Sequence, residues 1–204
     1  KSLLLVVGRG GDGRAIGPVA AEGMMATAGN SRQDLAYWQG ARYLPGSSRG
    51  HYESWFLRGN HPTRRVAFWI RYTIFVPRDR PQDAIGELWA IYFDGERQRI
   101  QTAKSEIPIS ECHFAPRGLD VRIGSATLET GALRGGAGGA QHIRWALTYR
   151  DGGTPMLFLP ERTYEARLPK AKALCTRPQA VFDGMLEVDG ESIAIDGWTG
   201  SENH

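Results

Sequence analysis

From Tyr37 to Trp198 the chain is punctuated by Gly, Asp and Pro at short intervals and almost nowhere sustains a helical period. This pattern limits the fold more than any other feature, because strands separated by turn residues with no helices between them pair as antiparallel neighbours. Residues 65–76, RVAFWIRYTIFV, show it best: Val66, Phe68, Ile70, Tyr72 and Ile74 fall on one face, and Ala67, Trp69, Arg71, Thr73 and Phe75 on the other. The first face reads as core. The second mixes aromatic and polar residues, as expected where a sheet lines a wet or ligand-filled space. GELWAIYFDG at 86–95 ends in the turn pair Asp94-Gly95 and predicts a hairpin with RIQTAKSEI at 99–107. In AQHIRWALTY at 140–149, Ile143, Trp145, Leu147 and Tyr149 alternate with His142, Arg144, Ala146 and Thr148. PMLFLP at 155–160 is a short apolar run, and AVFDGMLEVDGESIAIDGW at 180–198 predicts a last hairpin turning at Asp189-Gly190. LRGGAGGA at 133–140 reads as a flexible loop. The expected fold is all-β, an antiparallel barrel or a strongly curved sandwich, in which several strands have two partly apolar faces.

Charge and composition narrow the function classes. Lys and Arg number 25 against 22 Asp and Glu, a net charge of +3 in 204 residues, and the arginines are scattered rather than clustered. That argues against nucleic acid as a partner. Cys112 and Cys175 form no CxxC and no disulfide framework, so they read as reduced residues of a cytoplasmic protein. The opening LLLVV is too short for a signal peptide, and no later run approaches an integral membrane span. GRGGDG at 8–13 matches a dinucleotide-binding fingerprint in form, with Asp34 at a suitable distance. Gly17 and Pro18 break the helix such a motif needs, and the later chain reads as β. Residues 1–33 are therefore expected to be a disordered leader or upstream translation, and 34–204 the folded domain, which reads as cut short after a strand and a turn at ESIAIDGWTGSENH.

HYESWFLRGN at 51–60 puts Glu53, Trp55 and Leu57 on one face and Tyr52, Ser54, Phe56 and Arg58 on the other. A carboxylate beside an indole either accepts hydrogen bonds, with Arg71 or Arg58 as candidate donors, or has a raised pKa and can donate a proton. His61, ahead of Pro62, reads as a turn residue. His51, His113 and His142 have no metal-ligand spacing, and Ser47, Ser48 and Ser201 lack a nucleophile elbow.

YESWFLRGN, followed by AFWIRYTIF, resembles the E-(W/S)-W-(Y/F)-x-x-(G/A) signature of the lipocalin-like superfamily of carotenoid 1,2-hydratases (hydroxyneurosporene synthases), AttH-like proteins and, more distantly, tocopherol cyclase. DGWTGSENH is similar to the start of that superfamily's second signature, and the match covers roughly residues 37–204. The resemblance implies two consecutive lipocalin-like β domains, of which this chain supplies the first, the missing C-terminal domain being its partner. It implies a hydrophobic small molecule of isoprenoid or polyene type as ligand and no cofactor. The implied chemistry is acid-catalysed water addition to an alkene, or cyclisation of one. Of the implied acid–base group only His204 has a match here; the Trp, Tyr and Asp would lie beyond it. With Glu53, His204 is the candidate catalytic residue, and Trp55, Trp69, Arg71 and Arg58 are the candidate ligand-binding residues. The alternative is a non-catalytic lipocalin-type carrier of a hydrophobic ligand.

Overall fold

The computed structural model describes residues 31–204, with side chains from residue 35 onward. The Gly-rich motif at 8–13 and the expected leader up to residue 30 lie outside the described residues. A helix, α1 (Ser31–Gln39), opens the described residues.

Twelve strands follow: β1 (His51–Asn60), β2 (Val66–Val76), β3 (Ile85–Asp94), β4 (Arg99–Pro108), β5 (Cys112–Phe114), β6 (Asp120–Ile123), β7 (Ala126–Glu129), β8 (Ala132–Gly138), β9 (His142–Arg150), β10 (Met156–Leu157), β11 (Leu174–Val188) and β12 (Glu191–Asn203). A four-residue helix, α2 (Arg162–Glu165), lies between β10 and β11. The strands form one antiparallel sheet in the order β4-β3-β2-β1-β12-β11-β9-β8-β7-β6-β5, with the short β10 paired to β11. Most sequence neighbours pair, but β4 and β5 stand at opposite ends of the order and β9 pairs with β11; the long-range pairing of β1 with β12 joins the two halves. The sheet then curls back on itself: the Gly138 N–H donates to Ser105 Oγ at 3.0 Å, bringing β8 against β4. The result is an all-β, nearly closed antiparallel barrel.

Alternation decides what fills it. Val66, Phe68, Ile70, Tyr72 and Ile74 of β2 point inward as expected, as do Ile143, Trp145, Leu147 and Tyr149 of β9. Trp55, Trp198, Tyr72, Phe68 and Phe182 are the largest fully buried side chains, so aromatic rings occupy the interior. Their polar atoms are satisfied there: the Tyr72 hydroxyl donates to the Thr127 carbonyl and accepts from Trp145 Nε1, both at 2.8 Å. The second face of β2, expected to line a ligand space, faces outward.

Two local expectations are corrected. Residues 132–138 form β8 rather than a flexible loop. Gly135, at φ 152°, sits where a side chain would collide with Ala126 and the Trp145 ring, so the missing Cβ is what lets β8 pack there. The end of the chain is likewise a 13-residue strand through Asn203 rather than a strand and a turn. Gly200 lies against the Arg58 backbone, and this close approach keeps β12 paired with β1 to its end.

Helix α1 covers the end of the barrel where β1 and β11 begin and β12 finishes. Ala36 O accepts from Gly118 N at 2.7 Å, and Ala41 N donates to Ala115 O at 2.8 Å. Trp38 packs edge-on against Tyr164 of α2, 5.0 Å between ring centres, in a small second cluster with Leu174.

Candidate functional site

Beneath this cap the inner face of β1 carries Glu53, only 9% exposed. Both carboxylate oxygens are filled. Oε1 accepts from the Arg42 N–H at 3.0 Å and lies 2.9 Å from His204 Nε2. Oε2 accepts from the same N–H at 2.9 Å and lies 2.9 Å from His51 Nε2. Burial alone pushes this carboxyl up, but the hydrogen bonds from His204 and His51, the nearby His204 ring and the Arg42 N–H outweigh it and hold it at about 2 rather than 4.5. Of the two readings the sequence left open, the geometry therefore takes hydrogen-bonded carboxylate over proton donor. The donors are two histidines and a backbone amide, not Arg58 or Arg71.

The two imidazoles differ in what they can do. His204 has Nδ1 2.6 Å from the Trp38 carbonyl and Nε2 on Glu53, and its ring stacks on Trp55 with centres 4.7 Å apart at 18°. Both nitrogens face pure acceptors, so the arrangement is fully satisfied when both carry hydrogen. Its side chain is 6% exposed, and it ties cap to barrel. His51 spends Nε2 on Glu53 and, among the described residues, its Nδ1 has no hydrogen-bond partner; its side chain is 26% exposed. It stands at the rim of a pocket of about 190 Å³ with Tyr43, Leu44 and Val76. Tyr43, Phe114, Trp55 and His204 form an aromatic column from that rim inward, with successive ring centres 6.2, 6.0 and 4.7 Å apart.

A second buried carboxylate, Glu202, lies behind the first at 1% exposure. Tyr149 OH donates to it at 2.7 Å and Thr176 Oγ1 at 2.5 Å, Gln39 Nε2 donates to Oε1, and Arg177 Nε is 3.4 Å from Oε2. Gln39 also accepts from Trp55 Nε1 through its carbonyl at 2.9 Å, so cap, indole and Glu202 form one network. Sequence reasoning missed Glu202. The signal was the alternation Trp198, Gly200, Glu202 along one face, visible once the strand is carried past Gly200.

The six candidate residues thus divide between two faces. Glu53, Trp55 and His204 meet inside the capped end. Arg58, Trp69 and Arg71 lie outside the sheet. There the Arg71 guanidinium sits 5.1 Å from the Trp69 ring and 5.6 Å from that of Trp89, and donates to Tyr52 OH at 3.0 Å. Arg58 donates from Nε to Ser201 Oγ at 3.0 Å. Arg58 and Trp69 border an outer groove of about 480 Å³ with Asn60, Ile91 and Phe93. His61 is a turn residue, its Nδ1 accepting from the N–H groups of Thr63 and Arg64 at 3.1 and 3.0 Å. Among the described residues no group of three His, Cys, Asp or Glu is disposed to hold a metal ion, and no helix is long and apolar enough to cross a membrane.

No protein-family profile matches the chain. It is 24% identical over 174 residues to uncharacterized proteins from two strains of Mycobacterium tuberculosis, covering 83% of this chain and 47% of theirs. The chain therefore spans about half the length of the curated relatives it matches. Among solved structures, an AttH-like protein of Nitrosomonas europaea superposes with a TM-score of 0.54 at 16% identity, over 80% of this chain and 56% of that one. At that identity the likeness is one of architecture: the chain shares the β-barrel fold of that structure.

Proposed function

We propose that this domain binds a small, largely apolar molecule at the capped end of the barrel and moves a proton there through His51, Glu53 and His204. The observation that carries the reading is the division of labour at His51. Glu53 anchors Nε2, which leaves Nδ1 as the ring nitrogen available to a ligand in the adjoining pocket. Glu53 orients the ring and balances its charge when Nδ1 is protonated, and His204 keeps the carboxylate in place from the other side. A cation formed on the ligand would meet the faces of Tyr43 and the aromatic column behind it.

Acid-catalysed water addition or cyclisation at an alkene of an isoprenoid or polyene is the reaction class we assign, and the resemblance supports it. The aromatic, partly dry surroundings of His51 suit such chemistry, because bulk water would compete for the proton. In this reading the intact protein carries a second domain, in keeping with relatives of which this chain covers 47%, and that domain supplies the rest of the acid–base group. The free thiols Cys112 and Cys175 fit a reducing compartment, the cytoplasm.

The carrier alternative draws on a different observation, the outer groove beside Trp69 and Phe93, which is bordered by apolar side chains and holds no acid or base but Arg58. One experiment separates the two. Retinol is bound to the intact protein, second domain included, in D2O, and deuterium incorporation at its double bonds is followed by mass spectrometry. Proton transfer predicts incorporation that His51→Gln abolishes while retinol still binds. Binding without incorporation supports the carrier, and no binding overturns both.

A further inference from the structure

The pocket beside His51 has a charge pattern that an apolar ligand alone does not require. Arg42 and Arg49 line it together with His51, and none of its lining residues is acidic. Among the described residues the Arg49 guanidinium has neither a carboxylate nor a carbonyl partner, whereas the Arg42 guanidinium donates to the Gly40 carbonyl at 3.4 Å and lies 3.9 Å from Glu53 Oε1. Glu53, the carboxylate that His51 contacts, is already filled by two histidines and the Arg42 amide and has little acceptor capacity left. The loop carrying Arg49 is held in shape: Ser47 Oγ accepts from the Arg49 N–H at 3.3 Å, and Ser48 O accepts from Asp79 N at 2.9 Å. Asp79 is the acid of the adjoining turn, next to Arg78.

Another part of the lining is apolar. Tyr43, Leu44 and Val76 form it, with Leu44 72% exposed, and the cross-strand pair Tyr52 and Phe75 extends exposed aromatic surface from the rim along the outside of β1 and β2. At about 190 Å³ the pocket is smaller than the few hundred Å³ that enclose a drug-sized molecule, so it takes a head group and leaves the remainder on that surface.

We propose that the ligand of this pocket is an amphipathic anion, a carboxylate or phosphate head group on an apolar chain, with Arg49 and Arg42 holding the head beside His51. The proposal rests on the reading of His51 as the working group of the same site, and it adds that the molecule brought to His51 is charged at one end. An anionic head fixed at Arg49 sets which part of the chain lies at Nδ1.

The test is an amide NMR titration of the full chain with decyl phosphate, decanoate, decanol and inorganic phosphate. Either anionic amphiphile is expected to saturate a site that shifts the amides of Ser47, Arg49 and His51. Their relative affinity tells a phosphate head from a carboxylate. Decanol and inorganic phosphate should each bind about tenfold or more weakly, and Arg49→Gln should weaken the amphiphiles by about tenfold or more, the usual scale of one charge-assisted hydrogen bond. Arg49 is exposed, so its replacement leaves the fold intact, which circular dichroism checks. Decanol binding as tightly as decanoate, or Arg49→Gln without effect, overturns the proposal. Anion binding that depends on Arg49 but with no deuterium incorporation into retinol sinks the proton-transfer reading and leaves this one standing. Incorporation with no anion binding does the reverse.

Discussion

Replacing Glu53 by Gln removes a buried negative charge while keeping the side chain's shape, and its cost can be worked from the carboxyl's displaced titration. The group sits at about 2 in the folded chain against an ordinary 4.5. That displacement corresponds to about 3 kcal/mol of stability when the carboxylate is charged in both states. Because the folded value lies below the unfolded one, the contribution is complete above about pH 4.5 and is lost as pH falls from there toward 2. At 9% exposure the site is little screened, so salt should leave most of it in place. Urea unfolding followed by tryptophan fluorescence reads it directly. With a slope of about 2 kcal/mol per molar urea, Glu53→Gln should move the midpoint down by about 1.5 M at pH 7. The gap between the two proteins should shrink steadily below pH 4.5. Glu96, Asp183 and Glu187 are also held below their ordinary values, by Arg64, by the Gly197 N–H and by His142 respectively, but these groups are present in both proteins and cancel in the difference. A gap that is equal at pH 7 and pH 3 would refute the reasoning, since it would mean that shape rather than charge is what Glu53 contributes.

Two further substitutions test the packing that positions the site. Tyr72→Phe removes the hydroxyl that accepts from Trp145 Nε1 and donates to Thr127 O, leaving both without their buried partner, and should cost about 1–3 kcal/mol in the same urea assay. Gly200→Ala places a methyl against the Arg58 carbonyl, where β12 pairs with β1. It should cost more than about 2 kcal/mol, and amide hydrogen exchange should show β1 and β12 opening together while β6 and β7 keep their protection.

The sequence exposes the strands of this barrel and their inner faces because alternation is a local signal. Val66 to Ile74 and Ile143 to Tyr149 each carry it within one strand, and the turns at Asp94-Gly95 and Asp189-Gly190 mark where chains reverse. β8 was not legible because its pattern is written in glycines that are there for close approach to Trp145, a contact that depends on the neighbouring strand. The site was half legible for a similar reason. Glu53 and Trp55 share a face by simple counting, and His204 came from a signature. Their meeting under α1, and the role of His51, depend on pairing β1 with β12 across 151 residues between Glu53 and His204. Arg58 and Arg71 stood as candidate partners for Glu53 although the alternation within 51–60 already put Arg58 on the face opposite Glu53, and that within 65–76 put Arg71 opposite the core face. Their own strand alternation puts both on the outside.

The central claim is that Glu53 holds Nε2 of His51 and leaves Nδ1 free at the pocket. Long-range nitrogen–proton NMR of the imidazole rings tests it most directly, with His51 assigned by the loss of its signals in His51→Gln. The neutral His51 ring should carry its hydrogen on Nε2, with an unprotonated Nδ1 whose signal moves when a ligand enters the pocket, and Glu53→Gln should erode this tautomer preference. A neutral ring protonated on Nδ1 in the unaltered protein would contradict it.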